Sequence, residues 1–162
     1  MLGILAVAAA SAMAGYMESR KLGIRVTQLE KFLAFLSAAK TEIRYSAMPV
    51  ERIVEKHGSG LKFLVLCAGY CAQGEVFRDA WEHGLKEGTA GSGLTQQDID
   101  YIRSFGLGFG ATDVEGQLSH CQLYFNFLSD ALTEAKKEKE QKSKLYFMLG
   151  IFGGIAAALL LS

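Results

Sequence analysis

The chain has 162 residues, which suits one domain flanked by two terminal segments and leaves no room for a second domain. Its 17 Lys and Arg cancel its 17 Asp and Glu, so no global field draws in nucleic acid or an acidic substrate. One proline, eighteen glycines and long Ala, Leu, Lys and Glu runs point to an all-α chain with glycine turns, and three cysteines without a disulfide pattern point to a reducing compartment.

The first element is apolar. From Leu2 to Met17 no residue is charged, which makes about 24 Å of helix at ~1.5 Å per residue, slightly short of the ~30 Å bilayer core. We read residues 1–17 as a transmembrane helix. A cleaved signal peptide is the rival, because Ala10 to Ala14 offers small residues at a suitable spacing; the absence of Lys or Arg before Arg20 weighs against it.

An amphipathic helix follows, with Leu22, Val26, Leu29, Leu33, Leu36 and Ile43 on one stripe widened by Phe32, Phe35 and Ala39. It should end near Tyr45, since Pro49 disfavours helical geometry at Met48 and can open the next helix. A short helix from Pro49 to His57 closes at Gly58. The run from Leu61 to Ala72 is apolar nearly all round, which predicts a central helix packed on several sides. Val76 to Lys86 should be a helix turning Phe77, Ala80, Trp81 and Leu85 inward, and the glycine-rich stretch after it a flexible connection.

Thr95 with Asp98, and Thr112 with Glu115, have the spacing of capping boxes and predict two more helix starts. Gly106, Gly108 and Gly110 between them lack the spacing and the preceding strand of a phosphate loop, and read as a helix stop and turn. The last helix carries Val114, Leu118, Cys121, Phe125, Leu128, Leu132 and Ala135 in unbroken alternation of four and three, serving bundle packing or, less favourably, a coiled-coil seam. Continued to Leu161 it forms a rod of about 49 residues, on the order of 70 Å.

That rod ends in a second uncharged segment, Leu145 to Leu161, with Tyr146 where an interfacial aromatic belongs. The expected layout is a transmembrane helix at 1–17, a helical bundle at 18–144 and a transmembrane helix at 145–162. Arg20, Lys21 and Arg25 beside the first span, and five lysines from Lys136 to Lys144 beside the second, put the bundle in the cytoplasm. Small residues recur at four-residue spacing, as Ala6, Ala10 and Ala14 and as Gly150, Gly154 and Ala158. Such faces suit packing of the two spans, within one chain or between two copies of a homo-oligomer; the alternative is plain lipid-facing filler.

No arrangement of catalytic residues is evident. Cys67 and Cys71 share a helix face and His120 adjoins Cys121, so a metal site can be drawn, but apolar-helix cysteines are better read as core thiols. His57 and His83 stand by glycines that should end helices, where the dipole favours a cation. Glu42, Arg44, Asp113 and Glu115 read as caps or solvated charges. These residues imply binding or assembly with no cofactor. The enzymatic alternative places an unfamiliar site near Cys67, Cys71 and Cys121, and a generic membrane-anchored adapter remains open beside it.

The ordered set TEIRYSAMPVERI, the Trp81 helix, FGLGFGATDVEGQ and the long helix through KKEKEQKSKLYFMLGIFGGIAAALLL resembles the stage III sporulation protein AB family of endospore-forming bacteria. The resemblance implies a six-helix bundle akin to the cytosolic domains of platform proteins in type II secretion and type IV pilus machines. It implies a place in the outer forespore membrane, facing the mother-cell cytoplasm, with a secretion-type ATPase and ring-forming channel proteins as partners and membrane lipid around the spans. A full platform protein has two such domains and three spans. This chain has one domain, two expected spans and no internal repeat.

Overall fold

The computed structural model describes the backbone of residues 2–161, and side chains from residue 15 to residue 153 together with Ala10 and Met13. The described residues form six helices and no strand: α1 (Leu2–Ser46), α2 (Val50–His57), α3 (Lys62–Ala72), α4 (Phe77–Gly88), α5 (Gln96–Gly108) and α6 (Val114–Leu161). The expected rod is present in α6, 48 residues long, and α1 is a second rod of 45. At ~1.5 Å per residue each is about 70 Å long. Among the described residues no helix is long and apolar enough to cross a membrane. Most side chains of the expected spans at 1–17 and 145–162 lie outside the described residues.

The two rods run antiparallel and form the most extensive helix pairing in the molecule. The α1 stripe is buried from Leu22 to Ile43, and Leu118, Cys121, Leu128 and Ala135 of α6 are buried with it. The shorter helices pack around one end of this pair. Trp81 is fully buried among Phe63, Phe77 and Phe105, with its indole N–H donating to the Ile102 carbonyl at 3.2 Å. Phe32 brings α1 into the same aromatic cluster through edge-on contact with Phe105. Tilted and edge-on rings add favourable quadrupole contacts to the burial itself.

Several expectations are corrected. The α3 helix is not packed all round: it lies mainly on α2 and α4, touches α1 through Phe63 against Phe32, and leaves Val65 52% exposed. Its small residues explain this, because Ala68, Gly69 and Ala72 leave little apolar area in water and demand no further partner. Gly84 does not end a helix beside His83, since α4 continues to Gly88. Ala80, Gly84 and Gly88 instead form a buried face at four-residue spacing. A Cβ at Gly84 would stand 3.0 Å from the Cys67 amide nitrogen, and one at Gly88 would strike the Phe63 backbone. The α3–α4 contact is therefore backbone against backbone. The connection after α4 is also not free: Gly93, at φ 72°, lies against the Lys21 carbonyl and the Arg25 amide. Helix α6 starts one residue later than the capping-box spacing implies, because the Asp113 carboxylate, not Thr112, accepts the Gly116 amide at 3.0 Å. An acceptor there satisfies an otherwise orphaned helix-start donor.

Candidate interaction surfaces

The seam between α1 and α6 is bridged by charge at its lower end. Lys142 reaches Glu18 at 3.2 Å and Lys136 reaches Glu30 at 2.7 Å. Below them the Tyr146 ring lies over Gly15, where any Cβ would collide with it, so the aromatic expected to anchor at an interface also closes the seam. Of the small residues picked out for span packing, Ala10 is exposed and nothing lies within 4 Å of a Cβ at Gly150; Ala6, Ala14, Gly154 and Ala158 lie outside the described side chains.

Arg25 has a different place from the one its sequence position suggests. Its guanidinium grips the Asp98 carboxylate with two hydrogen bonds of 2.8 and 3.0 Å, and the two side chains are 6% and 1% exposed. The Asp98 hydrogen bond, against the cost of burial, raises the Arg25 pKa further. Asp98 also completes the predicted capping box, accepting the Thr95 amide while its own amide donates to the Thr95 hydroxyl. One carboxylate thus starts α5 and ties it to α1. Arg25 is therefore an internal structural ion and not one of the free charges expected to flank the first span; Arg20 and Lys21 are exposed. The spacing of Thr95 and Asp98 signalled the cap, but nothing local could signal a partner 73 residues away.

The thiols lack the environment of a reactive site. Burial pushes Cys67 far above its ordinary range, Cys121 up to about 11 and Cys71 upward, which keeps all three protonated at neutral pH. Among the described residues no group of three or more His, Cys, Asp and Glu could hold a metal ion. Of the three glycines expected to form a helix stop and turn, Gly106 and Gly108 lie within α5 and only Gly110 is in the turn. Gly106 lies against the Trp81 indole and Gly108 against the His120 ring. Gly110, at φ 88°, donates its amide to the Gln117 side chain at 2.8 Å, while the Gln117 amide group donates to the Gly108 carbonyl and the Thr112 hydroxyl. The buried Gln117 locks the turn between α5 and α6.

At the far end of α1, Glu42 is a junction. Its carboxylate accepts from Lys56 at 2.7 Å, lies 2.8 Å from the His57 ring and accepts the Ser46 hydroxyl, which clamps α2 onto α1. The hydrogen bonds from Lys56, Ser46 and His57 hold its pKa down at about 2. On another part of the same helix end, Ser37, Lys40, Thr41, Arg44 and Tyr45 line a groove of about 280 Å³ closed by Gln122 and Phe125 of α6. Lys40 donates to the Gln122 side-chain carbonyl, and no carboxylate lines the groove.

The family model described as stage III sporulation protein AB matches residues 1–162. A solved structure of a stage III sporulation protein AB superposes with a TM-score of 0.64 at 19% identity, covering 73% of this chain and 98% of that one, which establishes a shared fold. No curated protein matches the chain.

Proposed function

The chain belongs to the stage III sporulation protein AB family, and its role is in sporulation; from there we propose that it is a non-enzymatic membrane platform of a secretion-like channel complex. On this reading residues 1–17 and 145–162 are spans and the bundle faces the mother-cell cytoplasm. The bundle receives input from a secretion-type ATPase and passes it to ring-forming channel proteins.

The observation that carries the proposal is the pair of rods. Each of α1 and α6 runs without interruption from the aromatic core to an uncharged end of the chain. A continuous helix has no hinge, so a push on the bundle is transmitted along its full length. The Arg25–Asp98 bridge joins α5 to α1 on that path. The exposed cations Arg20 and Lys21, with the lysines of α6, favour the cytoplasmic side for the bundle.

Affinity purification of the full-length protein from sporulating cells in mild detergent, followed by mass spectrometry, tests the reading. Recovery of a secretion-type ATPase with ring-forming sporulation proteins is the expected result. Their absence with intact bait at the right stage would reduce the protein to a helical adapter for some other partner. Membrane attachment is tested separately: deleting residues 145–162 alone should leave the protein in the membrane fraction, and deleting 1–17 as well should release a folded bundle.

A further inference from the structure

The α1–α6 seam changes character along its length. At its lower end the cross-seam partners are opposite charges, Glu18 with Lys142 and Glu30 with Lys136. At its upper end the α1 residue is itself a cation, Lys40, and the residue across from it is the neutral Gln122. Arg44, one turn further on, is exposed, and among the described residues neither Lys40 nor Arg44 forms an ion pair, although twelve ion-pair contacts occur elsewhere. The nearby Glu42 carboxylate is saturated by Lys56, His57 and Ser46 on the α2 side. Two cations thus face a groove that contains no compensating charge, beside Phe125 and the 79% exposed Tyr45.

We propose that this groove, between Lys40 and Arg44 of α1 and Gln122 and Phe125 of α6, is a docking site for an acidic segment of a protein partner carrying an apolar or aromatic side chain among its carboxylates. Charge complementarity selects the occupant. A carboxylate opposite Lys40 completes the ladder that Gln122 leaves neutral, and a second engages the Arg44 fork, which suits a planar carboxylate. Tyr45 and Phe125 supply apolar surface for the side chain between them. The groove lies about 35–40 Å beyond Met17 along α1 at ~1.5 Å per residue. A bilayer at the proposed spans does not reach it, so the occupant is a protein and not a lipid headgroup. The inference deepens the platform reading by giving a cytosolic partner a place to bind.

The test is fluorescence anisotropy with the full-length protein in detergent micelles and a short labelled peptide alternating glutamate with phenylalanine. The expected result is saturable binding that weakens with added salt and falls about tenfold or more in the Lys40→Ala, Arg44→Ala double variant, the loss expected for two charge-assisted contacts. Both side chains are outside the core, and unchanged circular dichroism confirms that the variant is folded. Undiminished binding by the folded variant overturns the proposal, as does equal binding of the peptide with lysine in place of glutamate or the absence of any binding. Equal variant-sensitive binding of single-stranded DNA also overturns it, because the groove would then recognise anions in general. None of these results touches the platform reading, which rests on what co-purifies from cells.

Discussion

The upper bundle and the lower stem are held together by different proportions of apolar contact and charge. Around Trp81 the bundle is dry: Phe32, Phe63 and Phe105 are buried, and α4 approaches α3 so closely that only glycine fits at positions 84 and 88. Along the lower stem α1 and α6 still bury small apolar patches such as Leu22 and Ala135, but half-exposed ion pairs flank them and a tyrosine laid over a glycine closes the seam. Buried apolar contact carries most of the stability of a fold, whereas solvated ion pairs contribute little and mainly set register. The upper part should therefore behave as the cooperative unit, and the stem as a guided pair of rods that takes its rigidity from helix continuity. Arg25 and Asp98 stand at the junction and belong to the first kind by burial and to the second by chemistry.

Breaking that junction should have the largest effect. Asp98→Ala leaves the buried Arg25 guanidinium with only the half-exposed Glu138 carboxylate at 3.8 Å, at about 3 kcal/mol, and removes one of the two capping-box hydrogen bonds at the start of α5. Thermal or urea unfolding should show the bundle close to its stability limit, and adding Arg25→Met should recover part of the loss; no recovery would show that the bridge is not the source. Within the dry region, Trp81→Ala should cost about 3–5 kcal/mol, read as a lower urea midpoint. Loss of far less would mean that the aromatic cluster can collapse around the gap.

The Glu42 junction gives a pH signature confined to the upper end. Its pKa falls from 4.5 to about 2 on folding, so its contribution is fully present above 4.5 and lost as pH drops toward 2. Stability should decline through that window in the natural protein, and Glu42→Gln should flatten the profile there. The smallest effect is expected on the stem: Lys136→Ala should change stability by about 0.5 kcal/mol or less, and added salt should erase the difference. A large effect would place the stem in the same cooperative unit as the core.

Helix positions and inward faces were legible in sequence because they depend on local periodicity. The stripe from Leu22 to Ile43, the inward set Phe77, Ala80, Trp81 and Leu85, the helix break at Pro49 and the Thr95 cap all lie where spacing put them. What spacing misjudged were residues whose meaning depends on a distant neighbour. Arg25 read as a flanking charge and is an internal one; Gly84 read as a helix stop and is a contact surface; α3 read as packed on several sides and leaves Val65 in water. The groove at Lys40 and Arg44 was equally invisible, since Gln122 comes from the opposite rod.

The sequence by itself determined an all-helical chain, its turns, its apolar faces and two uncharged ends, because hydrophobic period, capping and glycine or proline geometry act within a few residues. Only the tertiary structure decided which charges are neutralised and which stand free. An ion's partner is fixed by the packing of rods and loops that bring residue 25 to residue 98 and residue 40 to residue 122, and no local preference encodes those approaches.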